Sequence, residues 1–265
     1  MAEQNAEPLA SSATALPSRA DLITELLSSV AMVEDHSAPD RDRVVGRNIR
    51  GTAFVIDERG YFVIDERGYF VTAKHVVRGL DPRKMELRTV YSRWNPGTYA
   101  MGPCRSIEAI YPHPYLDVAV IAVGSSHTKG RVRRAFRSDG LRLGDDVLLM
   151  GYAHGTELVF ADDILGDASP KSLSPVTLNG MICARIPDDG RRVRLFAYDC
   201  TTFPGCNGGA LVSTALGGVI VGLHLRGMSN RIGYAVPIED CMAFVEVVAR
   251  LHERGRAGRY RSQGG

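Results

Sequence analysis

No stretch of this chain constrains its fold as tightly as Thr201 to Ser213, which reads TTFPGCNGGALVS. A Gly-x-x-Gly-Gly turn followed at once by an apolar run lets the backbone aim one side chain into a cleft while main-chain N–H groups point at the same spot. The aimed side chain here is Asn207.

The remaining chain reads as strands and turns between two short helices. Residues 1–17 are rich in Ala, Ser and Glu, carry Pro8 and Pro17, and are predicted to be disordered. Ser18 with Asp21 three residues on is a helix N-cap, and Leu22, Ile23, Leu26 and Leu27 recur at helical spacing through about Ser28. Val30 to Val33 reads as a first strand and Glu34 to Arg50 as a polar surface loop.

Gly51 to Val77 holds one segment twice: Val55 to Phe62 and Val63 to Phe70 are the same eight residues. A tandem copy this perfect is no repeat architecture, which would recur along the chain with divergence. It reads as a recent duplication or an error in the sequence. Asp-Glu-Arg-Gly in either copy suits a hairpin turn, and an insertion of even length leaves strand faces unchanged.

Met85 to Ala100 supplies further strand-like pieces around a turn at Trp94 to Gly97. In Ile107 to Val123 a buried strand begins just after Asp117. Gly124 to Gly140, with Arg131, Arg133, Arg134 and Arg137, reads as a linker. Strands follow in Leu141 to Gly155, Val176 to Ile186 and Val193 to Asp199, the last two parted by a turn at Asp188 to Gly190. Gly218 to Leu225 and Ile232 to Ile238 come after the glycine turn. Glu239 to Leu251 places Met242, Val245, Val248 and Leu251 on one helix face, and a basic tail closes the chain.

His75, Asp117 and the turn Gly205-Cys206-Asn207-Gly208-Gly209 occur in an order that resembles the trypsin-like (chymotrypsin-fold) serine proteases, closest to their bacterial trypsin-like and glutamyl-endopeptidase branches. The resemblance spans about residues 28 to 252. It implies an all-β fold of two six-stranded antiparallel barrels, with a short N-terminal helix and a C-terminal helix. The peptidase domain is expected over 18–252: barrel one about 28–125, barrel two about 140–238, closing helix 239–252, and tail 253–265. It further implies His75 as base, Asp117 as its orienting carboxylate, and the N–H groups of Gly205 and Asn207 as the oxyanion hole. His224, in Gly-Leu-His, matches the position where glutamyl endopeptidases and 3C-like proteases put an imidazole in the S1 pocket, implying a P1 Glu or Gln. A histidine packed between strands with one satisfied ring nitrogen is the plainer alternative.

The departure is at the nucleophile. The carboxamide of Asn207 has no O–H for His75 to deprotonate, and its nitrogen lone pair is delocalised. Losing one triad member leaves about 10³–10⁴-fold catalysis over water. Three readings stand: a catalytically impaired pseudoprotease that binds peptide, a Cys206-dependent cysteine protease, or an active serine endopeptidase represented by a mutated or erroneous sequence.

Other classes find less. A net charge of +2 names no partner, and the basic clusters Arg131–Arg137 and Arg250–Arg261 have no aromatic stacking motif beside them, so no nucleic acid is expected. No Walker loop, dinucleotide fingerprint or metal-ligand spacing accompanies the seven histidines, so no cofactor or metal is expected. No apolar run approaches the roughly 18 residues of a membrane helix, and the absence of a signal-like h-region makes a cytoplasmic location the expectation. Five cysteines, an odd number without a Cys-x-x-Cys pair, suit reduced thiols, with a Cys200–Cys206 or Cys183–Cys200 bridge left open.

Overall fold

The computed structural model describes residues 18–37, 49–56, 68–92, 99–104, 107–123, 137–153, 175–187, 192–228 and 231–262. The expected N-terminal disorder, the Asp-Glu-Arg turns of the repeat, the turns at 94–97 and 188–190, and Arg131, Arg133 and Arg134 lie outside these residues. The fold is mostly β, as expected.

The first sheet runs in the order β5-β4-β1-β2-β3-β7-β6. Its strands are β1 (Val30–Asp35), β2 (Ile49–Ile56), β3 (Gly68–Thr72), β4 (Met85–Ser92), β5 (Tyr99–Cys104), β6 (Ile107–Pro112) and β7 (Ala119–Val123). The two edge strands, β5 and β6, are parted by only two residues, so the sheet must curl until its edges approach each other. Counted together as one strand, β5 and β6 bring the seven to the six expected. The β2–β3 pairing draws on both copies of the repeat: Val55 and Ile56 from the first lie opposite Phe70 and Tyr69 from the second. The continuous burial of β3 and β7 follows from their apolar runs, Gly-Tyr-Phe-Val-Thr and Ala-Val-Ile-Ala-Val.

The second sheet closes on itself in the order β10-β13-β12-β11-β8-β9. It comprises β8 (Asp146–Gly151), β9 (Val176–Pro187), β10 (Val193–Asp199), β11 (Ala210–Ser213), β12 (Val219–Met228) and β13 (Ile232–Pro237). Leu141, Leu149, Ile182, Phe196, Tyr198 and Val221 fill its interior. Closure leaves this barrel without an edge strand.

Two helices tie the barrels together. Helix α1 (Arg19–Leu26) is capped by the Ser18 hydroxyl, which accepts the Asp21 N–H at 3.1 Å, as the sequence predicts. It buries Leu22 and Leu26, worth about 1.5–3 kcal/mol each, and Leu22 lies so close over Gly218 that any larger residue there would strike it. The closing helix, numbered α3 here (Ile238–Ser262), extends past the expected 239–252. Its buried stripe is Ile238, Cys241, Val245, Val248, Ala249 and His252, while Leu251, placed on the apolar face by the sequence pattern, is 53% exposed. The four-residue helix α2 (Lys74–Val77) follows β3 directly and carries His75.

Candidate active site

The site lies between the barrels and is built by three connections. Strand β3 ends at Thr72, and α2 then turns back with Val76 and Val77 buried, which leaves His75 half-buried beside the cleft. Asp117 comes from a bend closed by the His113 N–H donating to the Val118 carbonyl at 2.8 Å. Lys74 Nζ donates to the His113 carbonyl at 2.9 Å, tying this bend to α2.

Asp117 holds His75 at two points. Its Oδ1 accepts the His75 main-chain N–H at 2.9 Å and its Oδ2 meets Nδ1 at 2.7 Å. Partial burial pushes the Asp117 carboxyl up, but the hydrogen bonds and charge of His75 and the charge of Lys74 outweigh it, so its pKa lies below the usual carboxylate value. A carboxylate there fixes the ring proton on Nδ1 and turns a lone pair outward on Nε2. Asn207 Nδ2 stands 3.0 Å from that Nε2 and donates to it.

The turn presenting Asn207 is held as closely. Gly205 and Gly208 have φ of 90° and 86°, a region open to glycine and costly for other residues. The Cys206 N–H donates to the Phe203 carbonyl at 3.1 Å, and the Gly209 N–H to the Cys206 carbonyl at 2.9 Å. Among the described residues, no hydrogen bond takes the N–H of Gly205 or of Asn207.

Thr52 on β2, which sequence reasoning passed over, locks the turn to barrel one. Its hydroxyl donates to the Gly205 carbonyl at 2.7 Å and accepts the Tyr152 N–H at 2.8 Å. Its main-chain N–H donates to the Asn207 carbonyl at 2.8 Å, and its own carbonyl accepts the Thr72 hydroxyl at 2.6 Å. A lone threonine in a strand offers no pattern to find it by; only its place opposite a tight turn makes it a clamp.

His224 on β12 is fully buried. Its main chain exchanges hydrogen bonds with the glycine turn: its carbonyl accepts from Gly208 and its N–H donates to Gly209. Its Nδ1 lies 2.7 Å from the Tyr198 hydroxyl, and among the described residues its Nε2 makes no hydrogen bond. Burial pushes its pKa down to about 3, against a smaller opposing effect of the Tyr234 carbonyl and with a further lowering by His75. Tyr198, buried beside the Cys200 and Cys206 thiols, is held well above its ordinary pKa and stays a phenol.

Cys206 does not reach this arrangement. It is fully buried among the interior side chains of barrel two, and burial raises its thiol to about 11. Adjacent side chains in the turn point opposite ways, so it is Asn207 that meets His75, and the cysteine-protease reading is corrected on that ground. Cys183, Cys200, Cys206 and Cys241 are all free thiols, so neither bridge left open by the sequence forms.

One group of potential metal ligands occurs among the described residues, Glu34 on β1, His36 just after it and Glu86 on β4. Arg88 occupies it, donating to Glu34 at 2.6 Å and to Glu86 at 2.9 Å. A guanidinium already neutralises the carboxylates there, which makes the cluster a cross-strand ion-pair network.

The trypsin-like peptidase domain family model matches residues 51–223. No curated protein matches the chain. Among solved structures, the HtrA-type protease AlgW with a decapeptide is similar at a TM-score of 0.58 and 18% identity, over 88% of this chain and 68% of that one. The serine endoprotease from Yersinia pestis is similar at a TM-score of 0.56 and 17% identity, over 89% of this chain and 68% of that one. AlgW with a tripeptide gives a TM-score of 0.54 and 20% identity, over 87% and 64% of the two chains.

Proposed function

Since this chain belongs to the trypsin-like peptidase domain family, we propose that it is a serine-endopeptidase homologue whose cleft binds peptide and whose hydrolysis is stopped at one side chain. One observation carries this reading: Asn207 Nδ2 sits 3.0 Å from Nε2 of a histidine already oriented by a carboxylate, the station of an attacking hydroxyl, and offers none. His75 is the base, Asp117 its orienting group, and the N–H groups of Gly205 and Asn207 form the oxyanion hole. The solved relatives with bound peptides support a peptide as ligand.

His224 gives the cleft its P1 preference in this reading. A phenol donating to Nδ1 leaves the ring proton on Nε2, which then seeks an acceptor. Among the described residues that N–H makes no well-formed hydrogen bond, with only the Tyr234 carbonyl acting on the ring, and the side-chain oxygen of a P1 Glu or Gln would supply an acceptor. Because His224 is fully buried, reaching it requires the residues over it to part on binding.

The test restores the hydroxyl. Asn207→Ser is expected to create cleavage after Glu or Gln where the parent has none, and His75→Ala added to it should abolish the gain. A folded Asn207→Ser protein without activity would overturn the reading of an otherwise intact cleft. Detectable His75-dependent hydrolysis by the parent would instead favour the second reading, an active endopeptidase, which the intact His75–Asp117 pair also supports.

A further inference from the structure

We propose that the chain cleaves itself between Asn207 and Gly208, with the Asn207 side-chain amide as the attacking nitrogen and His75 as its base. The proposal rests on the His75–Asp117–Asn207 arrangement of the preceding reading, but on no bound peptide. It follows from what the substitution puts in place of a hydroxyl, an N–H donor aimed at a base 3.0 Å away.

The electrophile belongs to the same residue. The Asn207 carbonyl oxygen accepts the Thr52 N–H at 2.8 Å, so its carbon is polarised and a donor is already placed for an oxyanion on that atom. As Nδ2 attacks the Asn207 carbonyl carbon, its proton passes to His75 Nε2, and a five-membered ring closes through Cγ, Cβ and Cα. Collapse breaks the bond to the Gly208 nitrogen, and the imidazolium returns its proton to that amine. The products are a chain ending in a cyclic imide at 207 and a new N-terminus at Gly208. No oxidant, reductant or co-reactant is consumed; water opens the imide afterwards.

A delocalised amide nitrogen is too weak to attack a bound peptide, but ring closure within one residue starts from a different position. Effective molarities of well-oriented intramolecular reactions reach about 10⁵–10⁸ M. The competing reaction of an Asn-Gly pair, attack of the Gly208 nitrogen on Cγ with loss of ammonia, has its nucleophile otherwise engaged. The Gly208 N–H donates to the His224 carbonyl at 2.8 Å, whereas the base stands beside Nδ2.

The experiment is to incubate the full chain at neutral pH with protease inhibitors and follow it by intact-mass spectrometry. Fragments 1–207 and 208–265 are expected, the first initially one water lighter than its acid, appearing at a rate independent of protein concentration. His75→Ala should slow their formation by about 10²–10⁴-fold. Asn207→Gln, which keeps an amide but would close a larger ring, should stop it while circular dichroism shows the fold retained. The proposal is overturned if a folded parent stays whole or only gains the mass of deamidation. Equal scission in folded His75→Ala, or scission that rises with concentration, also overturns it. Activity of Asn207→Ser with no scission of the parent would sink this proposal alone and leave the peptidase reading standing.

Discussion

The Gly208 N–H donates to the His224 carbonyl at 2.8 Å, so the turn presenting Asn207 and the strand carrying the buried imidazole are joined main chain to main chain. The turn cannot shift without moving the strand. Proximity on the other side is closer still, because a Cβ at position 208 would lie 2.0 Å from the Thr52 carbonyl oxygen.

Gly208→Ala is therefore expected to destabilise the protein by more than about 2 kcal/mol, the sum of a φ of 86° and a backbone clash that no rotamer relieves. Gly144→Ala is the control, since its φ is 89° but nothing lies within 4 Å of the added carbon. Denaturant melts of the two variants separate strain from collision. Equal losses would mean that contact with Thr52 adds nothing.

Thr52→Val removes a hydroxyl that serves the Gly205 carbonyl and the Tyr152 N–H together. Both partners are left unsatisfied in a buried seam, at roughly 1–3 kcal/mol each. Thr52→Ser should retain most of the stability. In the Asn207→Ser background, Thr52→Val should also lower kcat more than it raises KM, because it loosens the turn that carries the proposed oxyanion donors.

Acid should weaken the fold through His224 before it reaches Asp117. The buried imidazole binds its proton only near pH 3, whereas the unfolded chain binds it near 6.5. Below 6.5 the unfolded state holds the extra proton, so stability falls as pH drops, by up to about 1.4 kcal/mol per pH unit. At pH 4.5 the loss attributable to His224 is about 2–3 kcal/mol. Asp117, lowered from 3.8, adds its own loss only below that value. Urea melts of His224→Gln between pH 4.5 and 7 should show a flatter slope than the parent, and an unchanged slope would assign the acid sensitivity elsewhere.

Much of the site was legible because its parts sit in local patterns. His75 ends a hairpin, Asp117 precedes an all-apolar strand, and five residues spell the turn. What escaped depends on long-range pairing: Thr52 acts on residues 100 and 153 positions away, and the Tyr198 hydroxyl finds His224 only because β10 and β12 both flank β13. The apolar face of α3 was misjudged at Leu251 for a related reason. Helical period locates a stripe, but the partner surface selects its edge, and here the buried edge is the polar His252, whose Nε2 meets Glu108 at 3.1 Å.

The repeated octapeptide leaves β2 with two possible mates. Phe54, Val55 and Ile56 pair with Val71, Phe70 and Tyr69, yet Val63, Phe62 and Tyr61 present the same three side chains in the same order eight residues earlier. Closing on the nearer set spans fewer residues and costs about 1 kcal/mol less entropy, so during folding the wrong hairpin is the quicker one to form. What rejects it comes later: the nearer register puts Ile64 where the Thr72 hydroxyl must meet the Thr52 carbonyl, and it carries His75 away from Asp117. Deleting residues 57–64 leaves every observed β2–β3 pair chemically unchanged and removes the choice. That variant should refold without the slow, register-correcting phase expected of the parent, and be about 1 kcal/mol more stable. The duplication thus leaves the β2–β3 pairs as one copy would make them and levies its toll on the time taken to reach them.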